Sequence, residues 1–228
     1  MSFLEHLSEL RKRILISLGF IFLGSIGGYI LSGRVLEILS KPVKSLYFFA
    51  PPEAFLIRIK IGIGLGVVFS LPLLLHQLWL FISPALKKEE RRYAVPIISI
   101  AYLLFLAGAG FAYFLILPTG IKILLSFGSE SVQPLMNLSK YFTFVFWLLL
   151  FSGLLFQLPL IVFFLVRTGI VEEETLRKHH KTIVVVIFIL AAVLTPTVDF
   201  ITMLLLALPL LALYEVSILA ARIGRKRH

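Results

Sequence analysis

The feature that most constrains this chain is a series of apolar stretches longer than a soluble core can use. Crossing a hydrocarbon layer about 30 Å thick takes a helix of about 20 apolar residues, because every backbone N–H and C=O must find its partner without water. Residues 14–32, 61–82, 94–117 and 142–166 each reach that length. The last apolar region is interrupted by Thr195-Pro196-Thr197-Val198-Asp199. A helix-stopping proline and an acid that is costly at mid-membrane divide it into two short helices, 182–195 and 200–218. The expected fold is an all-α integral membrane protein: a single transmembrane domain over residues 1–228 with six spanning helices. The first helix of the final hairpin, from Ile183 to Leu194, rises only about 18 Å. Either the bilayer thins there or the hairpin is re-entrant, and both return the chain to the side it left.

Charge sets the expected orientation. Arg11, Lys12 and Arg13 precede the first span, Lys87, Lys88, Arg91 and Arg92 follow the second, and Arg167, Arg177, Lys178 and Lys181 follow the fourth. With Arg222, Arg225, Lys226 and Arg227 at the C-terminus, this side holds fifteen basic residues. The other side holds seven: Arg34, Lys41, Lys44, Arg58, Lys60, Lys122 and Lys140. The positive-inside rule then puts both termini in the cytoplasm. A net charge of +10 would by itself suggest a nucleic-acid or lipid-surface binder. Because the basic residues cluster between apolar runs, membrane sidedness accounts for it and no nucleic-acid partner is expected. The first run is longer than a signal-peptide core, lacks an A-x-A site after it, and has Glu5 and Glu9 ahead of it, so it reads as a retained span. No organelle-targeting segment precedes it, and a prokaryotic plasma membrane is the expected location. The absence of cysteine excludes disulfides, thiol catalysis and thiolate metal sites.

Phe3, Leu4, Leu7, Leu10 and Ile14 share one helical face, and Ser2 with Glu5 has the spacing of a capping box. The N-terminus is therefore expected to form an amphipathic helix at the interface. Its polar side carries Glu5, Glu9 and Lys12, whereas helices that simply lie on anionic headgroups have mainly basic polar faces. The loop Ser83-Pro84-Ala85-Leu86-Lys87-Lys88-Glu89-Glu90-Arg91-Arg92 again sets acids within a basic stretch. A solvated, salt-bridged turn would account for that loop alone. The topology, however, brings Glu9 and the Glu89/Glu90 pair to one side of the membrane. Two carboxylates there suit guanidinium groups, whose planar fork an ammonium cannot match.

These residues carry a resemblance. His6-Leu7-Ser8-Glu9-Leu10-Arg11-Lys12-Arg13 is similar to the H-L-x-E-L-R-x-R opening of TatC proteins, and Gln77-Leu78-Trp79-Leu80-Phe81-Ile82-Ser83-Pro84-Ala85-Leu86 running into Glu90-Arg91-Arg92 resembles their Q-x-W-x-F-x-x-P-A-L…E-R-R segment. Phe111-Ala112-Tyr113-Phe114, Leu194-Thr195-Pro196 with Asp199, and Ala207-Leu208-Pro209 with Tyr214-Glu215 also fit, so the resemblance covers nearly the whole chain in order. It implies a curved, cup-like six-helix receptor that binds the twin-arginine motif of signal peptides on folded proteins. It also implies a translocation complex with single-span TatA and TatB proteins, self-association within that complex, and use of the proton-motive force. Glu9 and Glu90 match the family's arginine-reading carboxylates, Arg11 the basic residue beside the first, and Leu10 and Glu89 their neighbours. Pro42, Pro72, Phe81, Pro84 and Asp199 match other motif positions. Gln157, in Leu155-Phe156-Gln157-Leu158-Pro159, stands where the family usually has glutamate; the resemblance implies contact with a polar residue on a TatA or TatB helix, without the charge.

Several polar and special residues also have ordinary structural readings. For Gln157 that reading is an interhelical hydrogen bond; for His76, a packed or headgroup-facing ring; for Asp199, a cap on the sixth helix. Pro72, Pro96, Pro159 and Pro209 are expected to bend their helices. Gly24-x-x-x-Gly28 and Gly62-x-x-x-Gly66 permit close helix approach. The segment from Gly33 to Lys60, with Pro42, Pro51 and Pro52, is expected to carry short helices as an outer rim. The rival functional class is a small-molecule transporter or channel, which tends to show internal repeats and charged mid-membrane positions. Neither is evident here. No H-E-x-x-H, G-x-S-x-G or G-x-x-x-x-G-K-[ST] occurs, so neither an enzyme nor a cofactor is expected.

Overall fold

The structure is a computed structural model that describes all residues except 1–2, 44, 84–93, 127–134, 168–170, 172–174, 176–177, 195–199 and 226–228. It is helical almost throughout, in the order α1 (Phe3–Ser40), α2 (Pro52–Ile82), α3 (Ala94–Phe111), a π-helical turn (Ala112–Ile116), α4 (Leu117–Ser126), α5 (Leu138–Leu155), α6 (Leu158–Arg167), α7 (His180–Leu194) and α8 (Phe200–Arg225). Among the described residues no strand forms; one isolated bridge joins Tyr47 and Asn137. Among the described residues five helical segments are long and apolar enough to cross a membrane: Leu7–Ser40, Pro52–Ile82, Ala94–Ser126, Leu138–Val166 and Thr202–Leu219. A sixth apolar helix, His180–Val193, is shorter. Residues such as Phe22, Ile30, Phe114 and Val193 expose more than two thirds of their surface. So much outward apolar surface is the signature of helices solvated by lipid.

The amphipathic N-terminal segment is continuous with the first span as one 38-residue helix, about 57 Å long and well beyond the hydrocarbon thickness. The segment from Gly33 to Lys60 differs from expectation. Instead of separate rim helices, α1 continues to Ser40 and α2 begins at Pro52. The prolines explain this. Pro42 lies in the turn that follows α1, and Pro51 and Pro52 occupy the start of α2, where a missing N–H costs no hydrogen bond. They bound the long helices and leave residues 41–51 as the connection between them.

The chain divides into two compact units. The first comprises Met1–Leu103 and Met136–Phe142. Here α1 and α2 pack antiparallel along their length through facing glycines. A Cβ on Gly28 would lie 2.5 Å from the Gly62 carbonyl oxygen, and one on Gly66 would lie 2.6 Å from the Ser25 backbone nitrogen. The two G-x-x-x-G pairs thus face each other within the chain. Ser70, buried beside them, reaches the Gly66 carbonyl of its own helix and the Phe20 carbonyl of α1, 3.1 Å away. At the opposite end from the N-terminus, the α1–α2 connection is pinned to the start of α5. Tyr47 N–H donates to the Met136 carbonyl (3.0 Å) and Leu138 N–H to the Tyr47 carbonyl (2.8 Å). Asn137 caps α5 by accepting from Lys140 N–H at 2.8 Å while its amide donates to Glu53 at 3.2 Å, and Tyr141 Oη donates to the Leu39 carbonyl at 2.6 Å.

The second unit comprises Leu104–Leu135 and Thr143–His228. Ser152 on α5 donates to the Gly108 carbonyl on α3 at 2.8 Å, a buried bond made possible by the missing side chain at Gly108. Helix α8 presents Thr202, Leu206, Ala207, Leu210 and Tyr214 as its buried face. Near its far end Glu215 meets His180 of α7 at 3.3 Å, an exposed pair that contributes little stability. The fourth span is broken: α5 stops at Leu155 and α6 starts at Leu158. Pro159 was expected to bend a continuous helix, but it sits in the first turn of a new one, where its missing N–H is tolerated.

Candidate functional site

The candidate site is built on the first turns of α1. Glu9 and Arg13 lie one turn apart on one helix face, the spacing at which opposite charges meet. Arg13 Nη2 is 3.0 Å from Glu9 Oε1, and the two side chains are only 23% and 21% exposed. The antiparallel register of α1 and α2 brings Gln77 across to them: Arg13 Nη1 donates to Gln77 Oε1 at 3.0 Å. The third guanidinium nitrogen of Arg13, Nε, is buried without an acceptor. Arg13 is therefore clamped between two helices, with one hand on the candidate carboxylate. Among the described residues no further hydrogen bond to Glu9 is found, and the contact with Arg13 uses Oε1 alone.

The other predicted residues divide into three groups. Leu10 (37% exposed) and Arg11 flank Glu9 on α1 and are exposed. Phe81 lies half-buried in the last turn of α2, Pro72 half-buried within α2, and Pro42 half-buried in the turn after α1. Pro84, Glu89, Glu90 and Asp199 lie outside the described residues, as does Ser2 of the capping box. His76, next to Gln77, is exposed.

Gln157 falls in the two-residue break between α5 and α6. Its N–H donates to the Leu154 carbonyl at 2.9 Å, three residues back, which frees the Gly153 carbonyl that a regular helix would have used. The Gln157 amide Nε2 turns back toward that carbonyl at 3.5 Å, a long contact with its own preceding turn. The Gln157 side chain thus has a local role in dressing a helix end, as a donor, which a glutamate could fill only when protonated.

Arg13 and Gln77 join the candidate site only in the structure. By sequence Arg13 flanks the first span, and its spacing from Glu9 also signals the pair. For Gln77 no local signal exists, since its partner is 64 residues away in the chain.

With this geometry established, the chain can be compared with known proteins. Residues 5–209 match the family model of TatC, the Sec-independent protein translocase protein. A TatC protein of Carboxydothermus hydrogenoformans is 41% identical over 226 residues, covering 97% of this chain and 93% of the relative. That of Aquifex aeolicus is 34% identical over 231 residues, covering 98% and 95%. A crystal structure of the twin arginine translocase receptor TatC in the detergent DDM superimposes with a TM-score of 0.82 at 36% identity, covering 95% of this chain and 99% of that one.

Proposed function

This chain belongs to the TatC family of Sec-independent protein translocase proteins, and on that premise we propose that it is the receptor subunit that binds twin-arginine signal peptides at the Glu9 end of the α1–α2 pair. It is a multi-pass membrane protein. The observation that carries the site assignment is a half-buried carboxylate, ordered by Arg13 through Oε1 and without a hydrogen bond to Oε2 among the described residues, on a lipid-facing helix pair. Oε2 is a ready acceptor for a guanidinium. Glu90 is its proposed partner. It follows Ser83 so closely in the chain that its Cα can be no more than about 25 Å from the end of α2, and α2 ends where α1 carries Glu9. Arg11, Leu10 and Glu89 form the proposed rim, and Pro42, Pro72, Phe81, Pro84 and Asp199 the supporting motif positions.

The orientation follows from charge. Fifteen of the 22 basic residues fall on the Glu9 side, which makes that side and both termini cytoplasmic in a prokaryotic inner membrane. Folded precursor proteins would be the cargo, single-span TatA and TatB proteins the partners, alongside further copies of this chain. The role is that of a receptor without catalysis of its own. Site-specific crosslinking from residues near Glu9 to signal peptides bearing Arg-Arg or Lys-Lys tests the reading. Strong labelling of the first and weak labelling of the second is expected, and equal labelling would favour a transporter.

Gln157 is the proposed contact for a polar residue of a TatA or TatB helix, because it places a polar side chain at a helix break within a span, where polar groups join helices in lipid. Gln157→Leu is expected to reduce co-purification of TatA while leaving the chain inserted. Unchanged recovery would remove this residue from the contact.

A further inference from the structure

We infer that Arg13, braced by Gln77, is the residue that sets the preference of the Glu9 site for arginine over lysine; the inference rests on the proposed role of Glu9. A bare carboxylate attracts any cation. Here Arg13 places its own positive charge 3.0 Å from Glu9 Oε1, so an arriving ligand meets a nearly neutral pair and the long-range attraction largely cancels. An ammonium is a compact, strongly hydrated point charge that gains chiefly from that attraction. A guanidinium is less hydrated and gains from directed hydrogen bonds, which survive the cancellation.

Arg13 also orients the acceptor. Its second nitrogen is fixed on Gln77 Oε1 at 3.0 Å, and its Nε is enclosed between the helices. The guanidinium therefore has little freedom to swing, and neither has the carboxylate oxygen it holds. The remaining oxygen, Oε2, is presented in one direction by two helices whose separation is set by glycine contacts further along. A directional donor benefits from such a fixed acceptor; an ammonium, which accepts any approach, does not. Arg13 and Gln77 act here through Glu9 and are positioning residues.

The test uses the full-length, detergent-solubilised chain and fluorescent signal peptides with Arg-Arg or Lys-Lys, their affinities read by anisotropy. In Arg13→Gln the Lys-Lys peptide is expected to bind tighter, by about three-fold, the scale of one half-exposed charge pair. The Arg-Arg peptide gains the same attraction but loses the oriented acceptor, so the ratio between the two peptides falls. In Arg13→Lys the charge remains and the Lys-Lys peptide stays as weak as in the native chain. A tighter complex is a gain that misfolding cannot produce. An unchanged ratio in Arg13→Gln, or an equal loss of both peptides, would overturn the inference. The native-chain control is Glu9→Gln. If it leaves Arg-Arg binding intact, the assignment of Glu9 itself fails, whatever Arg13 does.

Discussion

Glu9→Ala and Glu90→Ala are each expected to lower the affinity for a twin-arginine signal peptide about 10- to 150-fold, the range of one lost charge-assisted contact of roughly 1.5–3 kcal/mol. Of the two, Glu9 has a partner among the described residues, Arg13. Removing Glu9 leaves Arg13 hydrogen-bonded to Gln77 but without its counter-charge, so the site turns from nearly neutral to positive and repels the incoming arginines. Glu9→Ala should therefore lie toward the larger end of the range, and its binding should recover in part at high salt, where the added repulsion is screened. Titration of labelled peptide into the purified variants at low and high ionic strength gives both quantities. Retained native affinity in both single variants would remove these carboxylates from the site. Together the two contacts supply roughly 3–6 kcal/mol, short of micromolar affinity, so the apolar part of the signal peptide must supply the remainder.

Gly66→Ala is expected to destabilise the chain by more than any surface substitution. The added methyl would meet the Ser25 backbone nitrogen at 2.6 Å and its Cα at 2.8 Å. Backbone cannot turn aside as a side chain can, so α1 and α2 must separate. Overpacking of this kind costs about 1–3 kcal/mol, and each kcal/mol shifts the melting temperature of a chain of this size by about 2–4 °C. Gly19→Ala is the matched control, since a Cβ there has nothing within 4 Å and alanine has the better helix propensity. Thermal unfolding in detergent should show a clear fall for the first and none for the second. The Arg13–Gln77 bond lies about 16 Å further along the same helix pair, so the Gly66 variant should also bind the Arg-Arg peptide more weakly at temperatures where it remains folded. An unaltered melting temperature in Gly66→Ala would mean that the glycine contact does not set the helix spacing.

The amino-acid sequence by itself determined the class of the fold, a set of long apolar helices. Long apolar runs have one solution in lipid, but the helices outlast them: the runs 14–32 and 61–82 lie within α1, which continues to Ser40, and α2, which starts at Pro52, and the rim helices expected between them do not form. It also pointed to Glu9 as an acid out of place in a basic, apolar helix, and to the i, i+4 partner that the reading passed over. Only the tertiary structure decided what Glu9 is. Which residue of α2 stands opposite Arg13 depends on the register of two antiparallel helices, and that register is set by Gly24 and Gly28 meeting Gly66 and Gly62, contacts between residues far apart in the chain. A periodic pattern states which face of a helix is small or polar; it does not state how far one helix slides along another. That sliding coordinate is what places Gln77 on Arg13 and turns a solitary carboxylate into one whose charge is balanced and whose free oxygen has a direction.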